Sequence, residues 1–231
     1  MITNRNIAAD ADIDLSKLNL ISGQRTFWED FDADPATAIN DLYGFSTAVA
    51  SGGTATCANT SLGLLNGPTN NDKALAFVSA RWHGNRGCKM SARVTTVSSL
   101  AAINVQIGWG DDAAMVIDGP VDDQDWALFE FRAGTADGQW RLGSRITGAA
   151  AVFVNTGITV ASATIYNISV ELTTTGTVIG KINDDTFQSA AGAVKTGATD
   201  WHPFARISVS AAGGKLLAFD TFSASESRTD I

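Results

Sequence analysis

The 231-residue chain carries 16 Lys and Arg against 24 Asp and Glu, a formal charge of −8, and no basic run. That balance excludes the electrostatic footprint of a nucleic-acid binder or of a protein drawn to an anionic membrane. Asp supplies 20 of the acids and Glu four, beside 24 Thr and 22 Gly, a composition of turns and strands that argues against a helical bundle or coiled coil.

Residues 1–26 read as an arm. Ile7, Ile13, Leu15 and Leu18 are spaced apolar residues among Asn, Asp and Ala. A short helical turn around Asp10 to Leu18 would have too weak an apolar stripe to stand alone, so these four are candidate docking anchors. No apolar leader region and no 18-residue apolar run occurs, which points to a product made and kept in the cytosol, with no membrane insertion.

From Phe27 the apolar pattern has period two. Met90, Ala92 and Val94 alternate, as do Ile103, Val105, Ile107 and Trp109, then Tyr166, Ile168, Val170 and Leu172, then Ala205, Ile207 and Val209. Alternation of this kind predicts half-buried antiparallel strands. Further strands are expected at Leu75–Ser79, Trp126–Arg132, Gln139–Ile146, Val152–Asn155, Thr177–Ile182 and Leu216–Phe222. Turn signals separate them, among them Gly52-Gly53, Asp137-Gly138, Thr175-Gly176 and Gly213-Gly214. Ten to twelve such strands fit an all-β, two-sheet antiparallel jelly-roll sandwich spanning 27–222 as a single domain, followed by a polar tail, 223–231.

The search for chemistry is mostly negative. Hydrolysis of a glycosidic bond needs two carboxylates flanking it, and the four Glu are scattered at Glu29, Glu130, Glu171 and Glu226. Glu130 shares a strand face with Arg132, which reads as an exposed ion pair. The basic groups Arg81, Arg86, Lys89, Arg93 and Arg132, Arg141, Arg145 read as solvated strand and loop charges. His83 and His202 stand in no nucleophile context, and no phosphate-cradling glycine loop is present. No enzymatic activity is expected.

Cys57 and Cys88 fit reduced, buried thiols; a bridge between them is left open, because sequence cannot give the required Cα approach. Asp111, Asp112, Asp118, Asp122, Asp123 and Asp125 crowd one connection, and Asn183-Asp184-Asp185 sits in another. Turns select Asp and no calcium-loop pattern is present, so no cofactor or metal is expected, although Ca²⁺ binding by these loops is left open. Trp109 and Trp140 alternate with aliphatic neighbours and are expected in the core. Trp82 and Trp201 lie beside His, Asn and Asp and are the candidate surface contacts to glycan or protein.

Two stretches carry resemblances. Ile2-Thr-Asn-Arg-Asn-Ile-Ala-Ala-Asp-Ala-Asp-Ile-Asp-Leu-Ser-Lys-Leu18 resembles a segment near the start of bacteriophage tail-fibre and other virion appendage proteins. Phe27-Trp-Glu-Asp-Phe31, Asn155 to Val160, Tyr166 to Glu171, Gly180-Lys-Ile-Asn-Asp184 and Lys215 to Phe222 together resemble the arrangement of a concanavalin A-like lectin/glucanase jelly roll. The second likeness implies the fold; the glucanase acids have no counterpart, so it implies no activity. The first implies a structural protein of a phage virion, a capsid decoration or tail-fibre component assembled in the host cytoplasm. Its partners would be capsid or tail proteins, and by analogy with virion appendages it would be a homotrimer. The alternative is a carbohydrate- or receptor-binding module of a phage tail, with Trp82 and Trp201 meeting a host surface glycan.

Overall fold

The alternating segments pair into two antiparallel sheets packed face to face. The computed structural model describes residues 24–29, 45–50, 53–58, 61–67, 73–78, 82–111, 125–133, 138–195, 200–209 and 215–227. The first sheet runs β14 (Asp185–Gln188), β13 (Val178–Ile182), β12 (Ile165–Leu172), β7 (Cys88–Thr95), β16 (Leu216–Ser227), β4 (Ser61–Leu65), β3 (Thr54–Ala58), with β1 (Gln24–Glu29) also on β16. The second runs β11 (Val152–Thr159), β10 (Gln139–Arg145), β9 (Trp126–Arg132), β8 (Ile103–Gly110), β15 (Asp200–Val209), β5 (Lys73–Val78), β2 (Phe45–Ala50), with β6 (Trp82–His83) pairing the start of β15. Among the described residues no helix is long and apolar enough to cross a membrane.

The core lies between the sheets and takes alternate side chains from both. Met90, Ala92 and Val94 of β7 and Ile168, Val170 and Leu172 of β12 face Ile103, Val105, Ile107 and Trp109 of β8 across it, all nearly inaccessible to water. Trp109 and Trp140 are fully buried, as their alternation with aliphatic neighbours predicts. The Trp109 indole Nε1 donates to the Val170 carbonyl at 2.9 Å, a hydrogen bond from one sheet to the other. Gly180 of β13 faces inward where the Phe129 ring crosses from β9; an added Cβ would lie 2.5 Å from that ring and 2.7 Å from Leu142.

The expected turns at Thr175-Gly176 and Asn183-Asp184 join paired strands, and Gly176 and Asn183 have positive φ, as does Gly138 ahead of β10; Asp137 lies outside the described residues. Gly52-Gly53 does something different: β2 and β3 on either side of it belong to different sheets.

The last strand runs further than the sequence suggests. Leu217 and Phe219 point inward, a bulge falls between Phe219 and Thr221, and Phe222, Ala224 and Glu226 point inward beyond it. The bulge flips the parity, so the stretch after Phe222, expected as a tail, is strand through Ser227. Along that length it lies between β7 and β1, and β1 begins at Gln24, within the stretch assigned to the arm. The remainder of the arm, with Ile7, Ile13, Leu15 and Leu18, lies outside the described residues.

Cys88 is buried, and its thiol donates to the His83 carbonyl at 3.1 Å. Cys57 is on β3, three strand positions away across β16 and β4. At ~4.8 Å per strand the separation across the sheet alone is on the order of 14 Å, and the register sets Cys57 in the row of Val94 rather than of Cys88, too far for a disulfide.

Candidate functional site

Because Ala127, Phe129 and Phe131 of β9 enter the core, Leu128, Glu130 and Arg132 stand on the outer face of the second sheet. The register places Arg141, Glu130, Gln106 and Arg206 in one row across β10, β9, β8 and β15. The next row is Phe153, Gly143, Leu128, Gly108 and Phe204. This face therefore gathers charges that are spread over 70 residues of sequence.

Glu130 is the centre of the polar row. Its Oε1 accepts from Arg132 Nη2 at 2.8 Å and Gln106 Nε2 at 3.2 Å, and its Oε2 accepts from Arg141 Nη2 at 2.8 Å. The carboxylate was expected in an exposed pair; instead its side chain is 2% exposed, beneath Arg141 at 22% and Arg132 at 54%. Of the basic residues expected as solvated charges, Arg132, Arg93 and Lys89 are exposed, whereas Arg141 and Arg145 are not. Arg145, on the same strand as Arg141, is buried and its Nε donates to the Ala149 carbonyl at 2.9 Å.

Beyond the carboxylate, the Arg141 guanidinium lies 4.4 Å from the centroid of the Phe153 ring, a cation–π contact. Phe153 is 38% exposed and packs at 5.9 Å against the buried Trp126. Both rings lie down on the sheet because residue 143 has no side chain: a Cβ there would sit 2.7 Å from Phe153 and 2.8 Å from Trp126.

Burial is graded across the face. Gln106, Phe204, Arg206 and His202 are closed off from solvent, whereas Arg132, Phe153 and Asn155 at the β9–β11 side are exposed. On the open side Arg132 and Arg141 both meet the Glu130 carboxylate. The four nearest positions around Glu130 are Leu128 and Arg132 along the strand and Gln106 and Arg141 across it. None is a carboxylate, so the acid pair of a glycosidase is not assembled at this row.

Trp82 and Trp201, expected at the surface, are buried at 1% and 0%. They are register partners on β6 and β15, and Trp82 packs edge-on against Trp109 at 6.1 Å. Their neighbours His83 and His202 take the alternate positions on β6 and β15, so a polar neighbour in sequence says nothing about exposure of the indoles. Gly84 makes room for Trp201, since a Cβ there would lie 2.5 Å from its indole nitrogen. Pro203 lies within β15 between the end of its pairing with β6 and the start of its pairing with β5, where a ladder N–H is not called for on that side.

Of the Asp-rich connection, residues 112–124 lie outside the described residues. Asp125 is fully buried in an ion pair with Lys195 Nζ at 2.8 Å, and it accepts from Thr147 Oγ1 at 3.0 Å. Among the described residues no group of three or more metal-ligating side chains converges. Phe153 was missed from the sequence because it stands between Val152 and Val154, a run whose parity leaves the outward residue undecided.

No protein-family model and no curated protein matches the sequence. Solved structures do. A protein of unknown function from Shewanella oneidensis MR-1 superposes with a TM-score of 0.67 at 14% identity, over 100% of this chain and 98% of that one. A Bacillus licheniformis β-glucanase gives 0.60 at 11% identity, over 86% and 97%. An immunostimulatory antigen and pseudo β-1,3-glucanase of Mycobacterium tuberculosis gives 0.62 at 11% identity, over 87% and 98%. The chain has the concanavalin A-like glucanase/lectin fold, an all-β sandwich of two antiparallel sheets. Identities this low speak to the fold alone.

Proposed function

We propose that the chain is a non-enzymatic structural module of a phage virion, a jelly-roll sandwich carried on the particle by its N-terminal arm as a decoration or tail-fibre component. The observation that carries the non-enzymatic half is the setting of Glu130. Both its oxygens are engaged by Arg132, Arg141 and Gln106, and no neighbouring position on its face supplies a second acid. A buried carboxylate held by two guanidiniums orients those groups; it is poorly placed to attack a sugar or to protonate a leaving group. The virion half rests on the tail-fibre-like stretch from Ile2 to Leu18. Weak anchors such as Ile7, Ile13, Leu15 and Leu18 become strong when copies attach together, as in a homotrimer.

The test is deletion of residues 1–20, with circular dichroism and sedimentation to establish that the sandwich still folds. Incorporation into particles is expected to disappear. Full incorporation of the folded, truncated chain would sink the attachment reading.

A second reading, a carbohydrate- or receptor-binding module of a phage tail, is favoured by the exposed Phe153 ring beside Arg141 on the open side of the face. Trp82 and Trp201 play no part in that reading, being core residues.

A further inference from the structure

We propose that β11 is a self-pairing edge: two copies of the chain join their second sheets by antiparallel addition of β11 to β11, about a two-fold axis at Phe153. The inference goes beyond both readings above and holds wherever the protein is carried.

A sheet edge is a row of backbone donors and acceptors ready to take another strand, and edges are ordinarily guarded by charge, by proline, by a bulge or by being short. β11 is the longest terminal strand of either sheet, at eight residues against six in β2, five in β3 and four in β14. Among the described residues no strand pairs with it on its far side. β14, beside it on the first sheet, is short and led by Asp185. β11 has neither guard: residues 146–170, which hold the strand and both of its connections, include no charged residue and no proline. Both connections are described, and Val152 at 57% and Phe153 at 38% stay exposed between them. A bulge guards only the far half, where Gly157 has positive φ and the register against β10 shifts.

The absence of charge points to a second copy as the occupant. Each chain carries −8, so two copies repel unless they meet where neither is charged. An acidic or basic peptide finds nothing to pair with along this strand, whereas the same strand of another copy meets it without repulsion.

The register follows from parity. Residues directly opposite in antiparallel strands face the same side, so an isologous pair must be centred on a residue. The bulge limits the straight part to residues 152–155, and on the other side Ala149 is held in a turn, its N–H donating to the Ile146 carbonyl at 2.9 Å. Within those limits an axis at Phe153 sets ring against ring on the outer face. It also sets Val152 against Val154 of the second copy on the inner face, where Val154 and Ile158 pack on the core. Both exposed apolar side chains then gain apolar cross-strand partners. An axis at Val154 would instead put Phe153 opposite Asn155. The pairing leaves the outer faces of the two sheets running on into each other.

The experiment has two arms on the full chain. In the first, sedimentation equilibrium at about 100 μM, enough to populate a micromolar contact, compares the native chain with Val152→Lys, which puts a charge on the edge at an exposed position. The native mass is expected to be twice that of the variant, with equal melting temperatures. In the second, Phe153→Cys and Asn155→Cys are air-oxidised. Position 153 meets its own copy at about 4.5–5.5 Å between Cα atoms, within disulfide reach. Position 155 lies two residues from the axis on each strand, about 14 Å from its copy. A dimer linked 153 to 153, located by mass spectrometry, is expected from the first of these variants and none from the second. Equal masses for the native chain and a folded Val152→Lys overturn the proposal. No link at 153, or equal linking at 153 and 155, overturns it as well, and decides alone if Val152→Lys fails to fold. Attachment by the arm is tested separately by particle incorporation, so either can fail alone.

Discussion

Glu130 shows how completely neighbours decide what a residue does. As a letter in Phe129-Glu130-Phe131-Arg132 it was legible as an outward carboxylate beside an arginine, and outward it is. Its burial and its second arginine were not legible, because Arg141 reaches it through a hairpin register that sequence does not give. Replacing Glu130 with Ala leaves Arg141 and Gln106 facing an empty polar niche. The expected loss is about 3 kcal/mol of stability, measured as a lower urea midpoint. A loss no larger than that of an exposed surface substitution would show that the row carries no weight. Gly180 makes the complementary case in the core: Gly180→Ala drives a methyl into the Phe129 ring and Leu142, at an expected cost of about 1–3 kcal/mol from overpacking. A neutral result would mean that the two sheets are not packed as closely as the geometry requires.

At the scale of elements, long alternating segments were readable and short or interrupted ones were not. β8 and β12 keep strict parity over eight residues and were found with correct faces. β3, β4 and β14 are four or five residues long: TATCA and DTFQ hold too few large apolar residues to set a period, and in SLGLL the adjacent Leu64 and Leu65 blur it. β11 was read to Asn155; beyond it, the register against β10 shifts at Gln139/Arg141 and Gly157 turns to positive φ before pairing resumes at Thr159. In β16 the bulge after Phe219 moves the inward set from odd to even positions, which hid Ala224 and Glu226. Glu226 accepts from the His83 backbone N–H at 2.9 Å and pairs with Arg86 at 3.4 Å, so this end of the strand is anchored. Truncation after Phe222 is therefore expected to lower the melting temperature sharply, because β1 loses most of its partner residues. An unchanged melting temperature would restore the solvated tail that composition suggested.

For the whole molecule, composition and alternation led to the right fold class, and the concanavalin A-like resemblance to the right architecture. What they could not reach was the assembly of the site, since Arg132, Arg141 and Phe153 come from three strands whose registers are set by hairpins and a bulge. Sheet order also decides the cysteines: with β16 and β4 between β7 and β3, the intact chain is expected to keep both thiols after air oxidation. A monomer mass lighter by two hydrogens would contradict that order. The non-enzymatic proposal rests on Glu130 acting as a clamp on two arginines rather than as a hydrolytic acid. The direct measurement is reducing-end release from laminarin and lichenan by the purified full chain over a day, beside Glu130→Gln. No product above the protein-free blank is expected for either. Product released by the native chain and abolished in Glu130→Gln would contradict it.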